Sequence, residues 1–213
     1  MADGILDRFR LNGKCALVTG AGRGIGAAIA MALAQAGADV AIVARTEADL
    51  RHVAQKAESL GRRAVAIPAD LSDLPALPRI VDQAVQSLGR IDIVVNNAGG
   101  CASMPFLNTT VAELEEAFRF NVFSPFELTR LAVPHLLEQG GGAVVNIGSM
   151  AGVWAERGFF AYSLVKSALS HLTRVMAAEL SPRVRVNAVV PGAVETDGLS
   201  MFLQHMPEIR NKM

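Results

Sequence analysis

Six short apolar runs rich in β-branched residues constrain the fold of this chain more than any other feature. The runs are nearly continuous rather than alternating in polarity, which is typical of strands covered on both faces in a parallel sheet. Stretches with helical spacing separate several runs, and this order predicts a doubly wound α/β sheet flanked by helices. The predicted strands are CALVT (15–19), VAIVA (40–44), AVAIP (64–68), IDIVVN (91–96), AVVNI (143–147) and VRVNAVV (184–190). The predicted helical stretches are 24–37, 47–61, 74–89 and 167–181, of which three end at glycine.

Length and composition fit one globular domain. The 213 residues suffice for one sizeable core, and 51% of them are apolar. Because 20 basic residues balance 20 acidic ones, no net charge attracts nucleic acid or anionic lipid. The N-terminus lacks the apolar core of a secretory signal, the longest apolar run (27–34) is too short for a membrane span, and Cys15 and Cys101 lack CxxC spacing. We expect a single cytoplasmic domain over residues 1–213, with an N-terminal arm over 1–12 and no nucleic-acid or membrane partner.

A glycine-rich segment, TGAGRGIG (19–26), follows the first predicted strand and opens the first predicted helix. Glycines allow a tight turn that brings backbone N–H groups close to a pyrophosphate, and a helix N-terminus favours negative charge. The spacing fits both GxGxxA and GxxxGxG. In either form it predicts the dinucleotide-binding turn of a Rossmann-like sheet. The residues assigned to this turn are Gly20, Arg23, Gly24, Ile25 and Gly26.

The residue after the second predicted strand discriminates between the two dinucleotides. In such folds a carboxylate about 20 residues after the glycines binds the ribose 2′-hydroxyl of NAD, whereas an arginine accommodates the 2′-phosphate of NADP. This sequence has Arg45 there, and Arg23 offers a second positive charge. We therefore expect NADP in preference to NAD. The alternative is that Arg45 is a solvated surface residue paired with Glu47.

The single tyrosine of the chain, Tyr162, stands four residues before Lys166. Positions four apart share a helix face, so we expect the ammonium group beside the phenol. An ammonium about 4 Å away, at an effective dielectric near 20, would lower the phenol pKa by roughly three units. We therefore predict that Lys166 lowers the pKa of Tyr162 toward neutral pH, as proton transfer requires. The alternative is a solvent-facing pair of helix residues.

Polar segments also follow the later strands, where ligands of such sheets bind. They are NNAG (96–99), NIGS (146–149) and Pro-Gly (191–192), and Asn121 stands in FRFNVF. Together with the glycine segment, these motifs resemble the short-chain dehydrogenase/reductase family in kind and order. The resemblance runs from about residue 11 to residue 200 and is strongest to bacterial hydroxysteroid dehydrogenases and 3-oxoacyl-carrier-protein reductases.

The resemblance implies a catalytic set of Asn121, Ser149, Tyr162 and Lys166. Tyr162 would be the general acid in carbonyl reduction and the general base in alcohol oxidation, while Lys166 would lower its pKa and bind the nicotinamide ribose. Ser149 would hold the substrate oxygen, where charge develops. Asn121 would anchor a water that connects Lys166 to solvent; its alternative role is to satisfy buried backbone groups.

The resemblance also implies contacts with the dinucleotide outside the glycine turn. They follow the third, fourth and sixth strands and serve the adenine, the adenosine side and the nicotinamide end. For Asp70 the alternative is a cap on a helix that begins near Ser72. The residues assigned are Asp70 and Leu71 (adenine), Asn97 (adenosine side), Val194 and Thr196 (nicotinamide carboxamide and phosphate), together with Tyr162 and Lys166.

The sequence departs from the family pattern at its carboxyl end. Members usually continue through another helix and a seventh strand, so we expect the last strand of the family to be missing and the sixth to lie at an edge. Residues 197–213, which include the apolar segment 199–203, are expected to form part of a substrate lid. The family also implies a homo-oligomer, either a dimer or a tetramer, with the Tyr162 helix available as a dimer surface.

Two other kinds of site are not indicated. The four histidines, His52, His135, His171 and His205, are scattered without ligand spacing, so no metal site is expected. Ser149 lies outside a GxSxG elbow, which disfavours a hydrolase triad.

The sequence therefore predicts an NADP-dependent oxidoreductase that interconverts a secondary alcohol and a ketone on an apolar substrate, steroid-like or acyl. The alternative is a non-catalytic nucleotide sensor on the same fold. Apolar residues near the catalytic positions either line a substrate cleft or belong to core or subunit packing. They are Met104, Phe106, Met150, Trp154, Phe159 and Phe160.

Overall fold

The strands of the computed structural model follow the predicted runs closely. The structure describes residues 4–102, 104–155, 157–196 and 200. Every run but the fourth agrees with a strand to within one residue at each end, and the fourth strand begins two residues later than predicted, at Ile93. The strands are Cys15–Thr19 (β1), Asp39–Ala44 (β2), Ala64–Pro68 (β3), Ile93–Asn96 (β4), Gly142–Ile147 (β5) and Val184–Val189 (β6).

Two of the helices that connect the strands were not predicted, and both lie between β4 and β5. A π-helical turn, Arg119–Phe123, joins them, and the second contains Pro134 in its interior, so regular helical spacing is interrupted. The last helix begins at Phe160, seven residues before the predicted stretch 167–181, and it carries Tyr162 and Lys166 on one helix, as their four-residue spacing predicted. The helices are Gly24–Gln35 (α1), Glu47–Ser59 (α2), Leu77–Leu88 (α3), Val111–Phe118 (α4), Ser124–Glu138 (α5) and Phe160–Leu180 (α6).

All six strands are parallel, in the order β3-β2-β1-β4-β5-β6. The order reverses between β1 and β4, so a crevice opens at the carboxyl ends of these two strands. The structure thus confirms the doubly wound, Rossmann-like α/β sheet. The predicted lid over 197–213, and His205 within it, lie outside the described residues except for Ser200.

Each face of the sheet has its own apolar core, which explains why the strand sequences are continuously apolar. Helices α3, α5 and α6 cover one face, and α1 and α2 cover the other. Neighbouring strand residues serve opposite cores: Leu17 belongs to the first and Val18 to the second, and both are fully buried. A third, small cluster packs α4 against the start of α6 through Ala117, Ala161 and Val165. This cluster fixes the segment that carries Tyr162.

Helix length and apolarity in the described part of the chain nowhere reach what a membrane crossing requires.

Candidate active site

A cavity of about 1020 Å³ opens at the carboxyl ends of the strands, where the strand order reverses. Segments that follow all six strands line it, although they are far apart in the chain. It brings together every predicted site residue except Asn121. The predicted residues that line it are Gly20, Arg23, Gly24, Ile25, Gly26, Arg45, Asp70, Leu71, Asn97, Ser149, Tyr162, Lys166, Val194 and Thr196.

The turn after β1 is packed so closely that two of its glycines, Gly20 and Gly26, leave no room for a side chain. Gly20 has a φ of +63°, and a Cβ on it would lie 2.7 Å from Nδ2 of Asn97. A Cβ on Gly26 would overlap the carbonyl oxygen of Gly20. The Asn97 amide donates to the carbonyl oxygens of Thr19 and Gly20, at 3.0 and 3.1 Å, and so ties the turn to the end of β4.

Helix α1 begins directly after this turn and points its N-terminus into the cavity. Its N-cap residue, Arg23, makes no side-chain hydrogen bond to the first backbone N–H groups of the helix. These donors and the helix dipole therefore face the cavity together. The donor set and the turn, which has no room for a side chain at Gly20 and Gly26, fit the pyrophosphate of a dinucleotide.

Unpaired charges surround the end of β2. Arg23 and Arg45 are exposed, and no ion pair among the described residues includes either of them. Glu47, the alternative partner of Arg45, instead pairs with Arg51, with 2.5 Å between Oε1 and Nη2. Two uncompensated guanidinium groups at this corner favour an anionic group on a ligand.

Asp70 closes a local turn rather than capping a helix. Its carboxylate accepts a hydrogen bond from the backbone N–H of Ser72 at 2.9 Å, whereas α3 begins only at Leu77. The alternative role of Asp70 as a cap near Ser72 is therefore wrong. The turn holds Asp70 at the cavity, with the buried Leu71 beside it.

Ser149, Tyr162 and Lys166 line one part of the cavity. Lys166 Nζ lies 5.8 Å from the centroid of the Tyr162 ring and donates to the carbonyl oxygen of Ile147 at 3.0 Å. The Ser149 hydroxyl accepts from the backbone N–H of Ala151 at 3.2 Å. The first two turns of α6 and the end of β5 thus bring the three side chains together.

Burial dominates the protonation of Tyr162 and Lys166. Burial raises the pKa of Tyr162, and its hydrogen bond with Ser149 only partly opposes this. Burial lowers the pKa of Lys166 to about 8. The prediction that Lys166 brings the pKa of Tyr162 down toward neutral pH is therefore wrong for the net pKa, because desolvation of the phenolate is the largest effect and leaves the pKa above its ordinary value. Tyr162 holds its proton at neutral pH.

Asn121 lies behind the cavity wall, in the π-helical turn. Its Nδ2 donates to the carbonyl oxygens of Gly100 and Ala117 at 3.0 and 2.9 Å, and its Oδ1 accepts from Gly100 N at 2.8 Å. Asn121 thus satisfies buried backbone groups, which is the alternative role that we considered for it from the sequence. A Cβ on Gly99 would lie 2.8 Å from both Asn121 Oδ1 and Lys166 Nζ, so these two groups converge over Gly99. A water between them stays a prediction.

Sequence reasoning missed four lining residues with polar or aromatic side chains, namely Thr46, Asp49, Cys101 and Phe120. For two of these residues, the sequence positions could have identified them as candidates. Asp49 stands one helical turn after Arg45, and Phe120 directly precedes Asn121.

The predicted apolar cleft divides into two groups. Met150, Trp154 and Phe159 line the cavity. Phe106 and Phe160 instead contact each other edge to face, with ring centroids 5.0 Å apart, and Met104 is not a lining residue.

Similar proteins point to one family. The sequence pattern of the short chain dehydrogenase family matches residues 14–206. An uncharacterized oxidoreductase of Mycobacterium tuberculosis is 50% identical over 198 residues, which cover 92% of this chain and 75% of that protein. The 7alpha-hydroxysteroid dehydrogenase of Escherichia coli K12 is 42% identical over 97% of this chain and 80% of its own length. A ketoacyl reductase of Nostoc is 38% identical over 90% of this chain and 67% of its own length.

Solved structures agree. A 7 alpha-hydroxysteroid dehydrogenase complexed with NADH and 7-oxo glycochenodeoxycholic acid has a TM-score of 0.93 and 39% identity, covering 99% of this chain and 82% of that one. A short chain dehydrogenase from Burkholderia cenocepacia in complex with NADP has a TM-score of 0.84 and 40% identity, covering 88% and 77%. The matched pattern, the relatives and the geometry of the cavity lead to one conclusion: this chain belongs to the short chain dehydrogenase family and is an NAD(P)-type oxidoreductase.

Proposed function

We propose that the protein interconverts a secondary alcohol and a ketone on an apolar substrate, with NADP preferred as the hydride carrier and Tyr162 as the acid and base. One observation carries the proposal. Ser149, Tyr162 and Lys166 line the same cavity as a glycine turn that fits a pyrophosphate. The intact set also disfavours the alternative of a nucleotide sensor without turnover.

Tyr162 is suited to donate a proton to a carbonyl oxygen. Because its pKa is raised, the phenol is protonated at neutral pH and supplies the proton when a ketone is reduced. In the reverse direction the phenolate takes the proton from the alcohol. When bound, the dinucleotide supplies or accepts the hydride at the substrate carbon.

Ser149 and Lys166 stabilise the charges that form during this transfer. The Ser149 hydroxyl donates a hydrogen bond to the substrate oxygen, on which negative charge develops. Lys166, whose pKa is about 8, is mostly protonated at neutral pH. Its positive charge stabilises the phenolate of Tyr162 until a proton returns, and Asn121 holds the neighbouring loop in place.

The walls of the cavity support an apolar substrate. Met150, Trp154 and Phe159 offer apolar surface near Tyr162, and Trp154 is 70% exposed and so has surface left to cover. The hydroxysteroid dehydrogenase and ketoacyl reductase relatives support a steroid-like or an acyl substrate.

The NADP preference rests on the two unpaired arginines, since similar structures hold either NADH or NADP. A 2′-phosphate would gain charge-assisted hydrogen bonds from Arg23 and Arg45. We expect Arg45→Asp to shift the ratio of kcat/KM for NADPH and NADH toward NADH. An unchanged ratio would contradict this assignment of Arg45.

The test of the function is reduction of a panel of ketones, including 7-oxo bile acids and 3-oxoacyl thioesters, followed through NADPH absorbance. Tyr162→Phe is expected to lower kcat about 10²–10⁴-fold, the usual contribution of a general acid. Dinucleotide binding should persist in this variant. Ser163→Ala, at the next position of α6, is the control and should retain activity.

Two results would argue against the proposal. Turnover by Tyr162→Phe at the wild-type rate would remove Tyr162 from the chemistry. Binding of NADPH without reduction of any ketone in the panel would favour the sensor.

We also propose a homo-oligomer. Phe126 on α5 and Leu164 and Val175 on α6 are large apolar side chains left exposed, and they are suited to an interface between copies. Light scattering on the purified protein tests this, and a monomeric mass would contradict it.

A further inference from the structure

We infer that Asp49 is a specificity-determining residue of the dinucleotide site. Its carboxylate opposes the 2′-phosphate of NADP and accepts a hydrogen bond from the 2′-hydroxyl of NAD. The preference for NADP is therefore held below what two arginines would give, and the protein accepts both dinucleotides. This inference rests on the proposed function, since it concerns the adenosine end of the same cavity.

The position of Asp49 is the first observation. It is the third residue of α2 and lines the cavity together with Arg23 and Arg45. A Cβ on Gly22 would lie 3.2 Å from Asp49 Cβ and 3.8 Å from its Oδ2. The carboxylate therefore faces the glycine turn at the corner where the arginines stand.

The Asp49 carboxylate also does not cap its helix, although an acidic residue at the third position of a helix often does. In α4, Glu113 at the equivalent third position forms a capping box with Thr110: Thr110 N donates to the Glu113 carboxylate at 2.8 Å. In α2 the same spacing joins Thr46 and Asp49, yet Thr46 makes no side-chain cap bond. Among the described residues Asp49 has neither a side-chain hydrogen bond nor an ion pair, so its acceptor oxygens are available to a ligand.

The charges decide between the two dinucleotides. A 2′-phosphate next to Arg23 and Arg45 is attracted by two cations and repelled by one anion, and the attraction is larger. A 2′-hydroxyl gains little from a guanidinium group, which only donates, but gains an acceptor in Asp49. Asp49 thus lowers the affinity for one dinucleotide and raises it for the other.

The test is calorimetric binding of ADP-ribose and of 2′-phospho-ADP-ribose to the full chain. These probes carry the adenosine end of NAD and NADP but cannot transfer a hydride, so the readout is independent of turnover. For Asp49→Asn we expect the 2′-phosphorylated probe to bind about threefold to tenfold more tightly and ADP-ribose to bind about threefold more weakly. The ratio of kcat/KM for NADPH and NADH should rise in parallel.

Glu47→Gln is the matched control. It removes the same charge from the same helical turn, but Glu47 pairs with Arg51 and does not line the cavity. Neither probe should change its affinity for this variant. A similar change in both variants would show that only the net charge of α2 matters and would overturn the inference.

The remaining outcomes are also decisive. Weaker binding of the 2′-phosphorylated probe to Asp49→Asn would mean that Asp49 orients the arginines and would overturn the inference. Unchanged affinities for both probes would do the same. If neither probe bound the wild-type protein, the proposed function itself would be contradicted. If both probes bound the wild type normally and Asp49→Asn had no effect on their affinities, only the inference about Asp49 would be contradicted. Should Asp49→Asn not fold by circular dichroism, Asp49→Ser carries the same expectations.

Discussion

At the amino ends of the strands, Asp92 is buried among hydrogen-bond donors from three residues, whereas at the carboxyl ends Lys166 is buried with one carbonyl oxygen as its partner in the described part of the chain. Both residues are 3% exposed. The Asp92 carboxylate accepts from Arg90 Nη2 and Nε at 2.6 and 2.8 Å, from Lys14 Nζ at 3.0 Å and from Cys15 N at 3.0 Å. Among the described residues, the Lys166 ammonium donates only to Ile147 O and has no carboxylate partner. The two residues are thus equally exposed to solvent, but Asp92 is paired with two cations, whereas Lys166 has a carbonyl oxygen as its partner in the described part of the chain.

The pKa values of the two groups differ accordingly. Burial alone would raise the pKa of Asp92, but the hydrogen bonds from Arg90, Cys15 and Lys14 outweigh burial and leave the pKa below its ordinary value. Burial lowers the pKa of Lys166 to about 8, and little opposes it. Folding is therefore stabilised by ionisation at Asp92 and opposed by it at Lys166.

Other unmatched polar groups accompany Lys166 at the carboxyl edge. Asn96 Oδ1, at the end of β4, and Ser163 Oγ, beside Tyr162, are buried without a hydrogen-bond partner in the described part of the protein. Arg23, Arg45 and Asp49 lie at the same edge and form no ion pair within the ranges that the structure describes. The comparison teaches that one edge of the sheet uses its polar groups for stability, while at the other edge several are unmatched, and those that line the cavity, Lys166, Arg23, Arg45 and Asp49, can meet a ligand.

The largest expected effect is that of Lys166→Met, which should change activity and stability in opposite directions. We expect kcat/KM to fall by at least about a hundredfold, because the phenolate of Tyr162 loses its cation. The free energy of unfolding at pH 7 should rise by about 2 kcal/mol, since removal of the desolvated charge is worth roughly 3 kcal/mol and the lost hydrogen bond about 1. Urea unfolding and steady-state kinetics measure the two effects.

The pH dependence of the stability gained by Lys166→Met shows whether it comes from removal of the desolvated ammonium charge. A lowered folded pKa means that the unfolded state binds more protons between pH 8 and 10.5, so the wild-type stability rises with pH across this window. The advantage of Lys166→Met should therefore shrink above pH 8 and disappear near pH 10.5. Lys14→Met is the control at the other edge and should lose stability instead. A stability loss for Lys166→Met at pH 7 would break the comparison.

Asp92→Asn should have the next largest effect, and on stability alone. The substitution leaves Lys14 and Arg90 without their carboxylate, which we expect to cost about 2 kcal/mol, less than for a wholly buried pair because both cations are partly exposed. Since the pKa of Asp92 is lowered, its contribution is present above about pH 4 and is lost as the pH falls through the folded pKa. The difference from wild type should vanish in acid.

Activity separates the two edges for this variant. The kcat/KM of folded Asp92→Asn should equal that of the wild type, because Asp92 lies at the opposite end of the strands from the cavity. A marked loss of kcat without loss of stability would show that the two edges are not separate in function.

The smallest effect is expected for Ser163→Ala. Removal of a buried hydroxyl without a partner should raise the free energy of unfolding by about 0.5 kcal/mol. Ser170→Ala is the control on the same helix, since Ser170 Oγ donates to Lys166 O at 3.0 Å and its loss brings no gain. Thermal unfolding measures both, and equal behaviour of the two variants would remove Ser163 from the set of unmatched groups at the carboxyl edge.

Much of the fold could be predicted because the relevant signals are local. β1 is buried at every position and was predicted with the right bounds, because a strand covered on both faces is continuously apolar. β3 was also predicted with the right bounds, although it lies at an edge of the sheet and only Ile67 in it is buried. Helices α4 and α5 were missed, because the π-helical turn at Arg119–Phe123 and the interior Pro134 interrupt helical spacing. The start of α6 was predicted seven residues too late. Its first turns carry Tyr162 and Lys166, residues of the candidate site, so the apolar spacing that indicates a helix is less regular there.

The candidate site was predictable in its membership but not in its energetics. Motifs at strand ends identified the lining residues, since parallel strands bring their carboxyl ends to one edge. The direction of the Tyr162 pKa was predicted wrongly, because helical spacing gives the distance to Lys166 but not the burial of the phenol. Asp49 was overlooked because its closeness to Gly22 depends on how α2 packs beside the glycine turn.

The sequence by itself determined the alternation of strands and helices, the glycine turn and the order in which the site segments occur, because these depend on neighbouring residues and on backbone freedom. Only the tertiary structure decided which charges are compensated. Desolvation and pairing depend on groups from distant segments, so donors from three residues meet Asp92 at one edge of the sheet, while Lys166, Arg45 and Asp49 have no counterion among the described residues at the other.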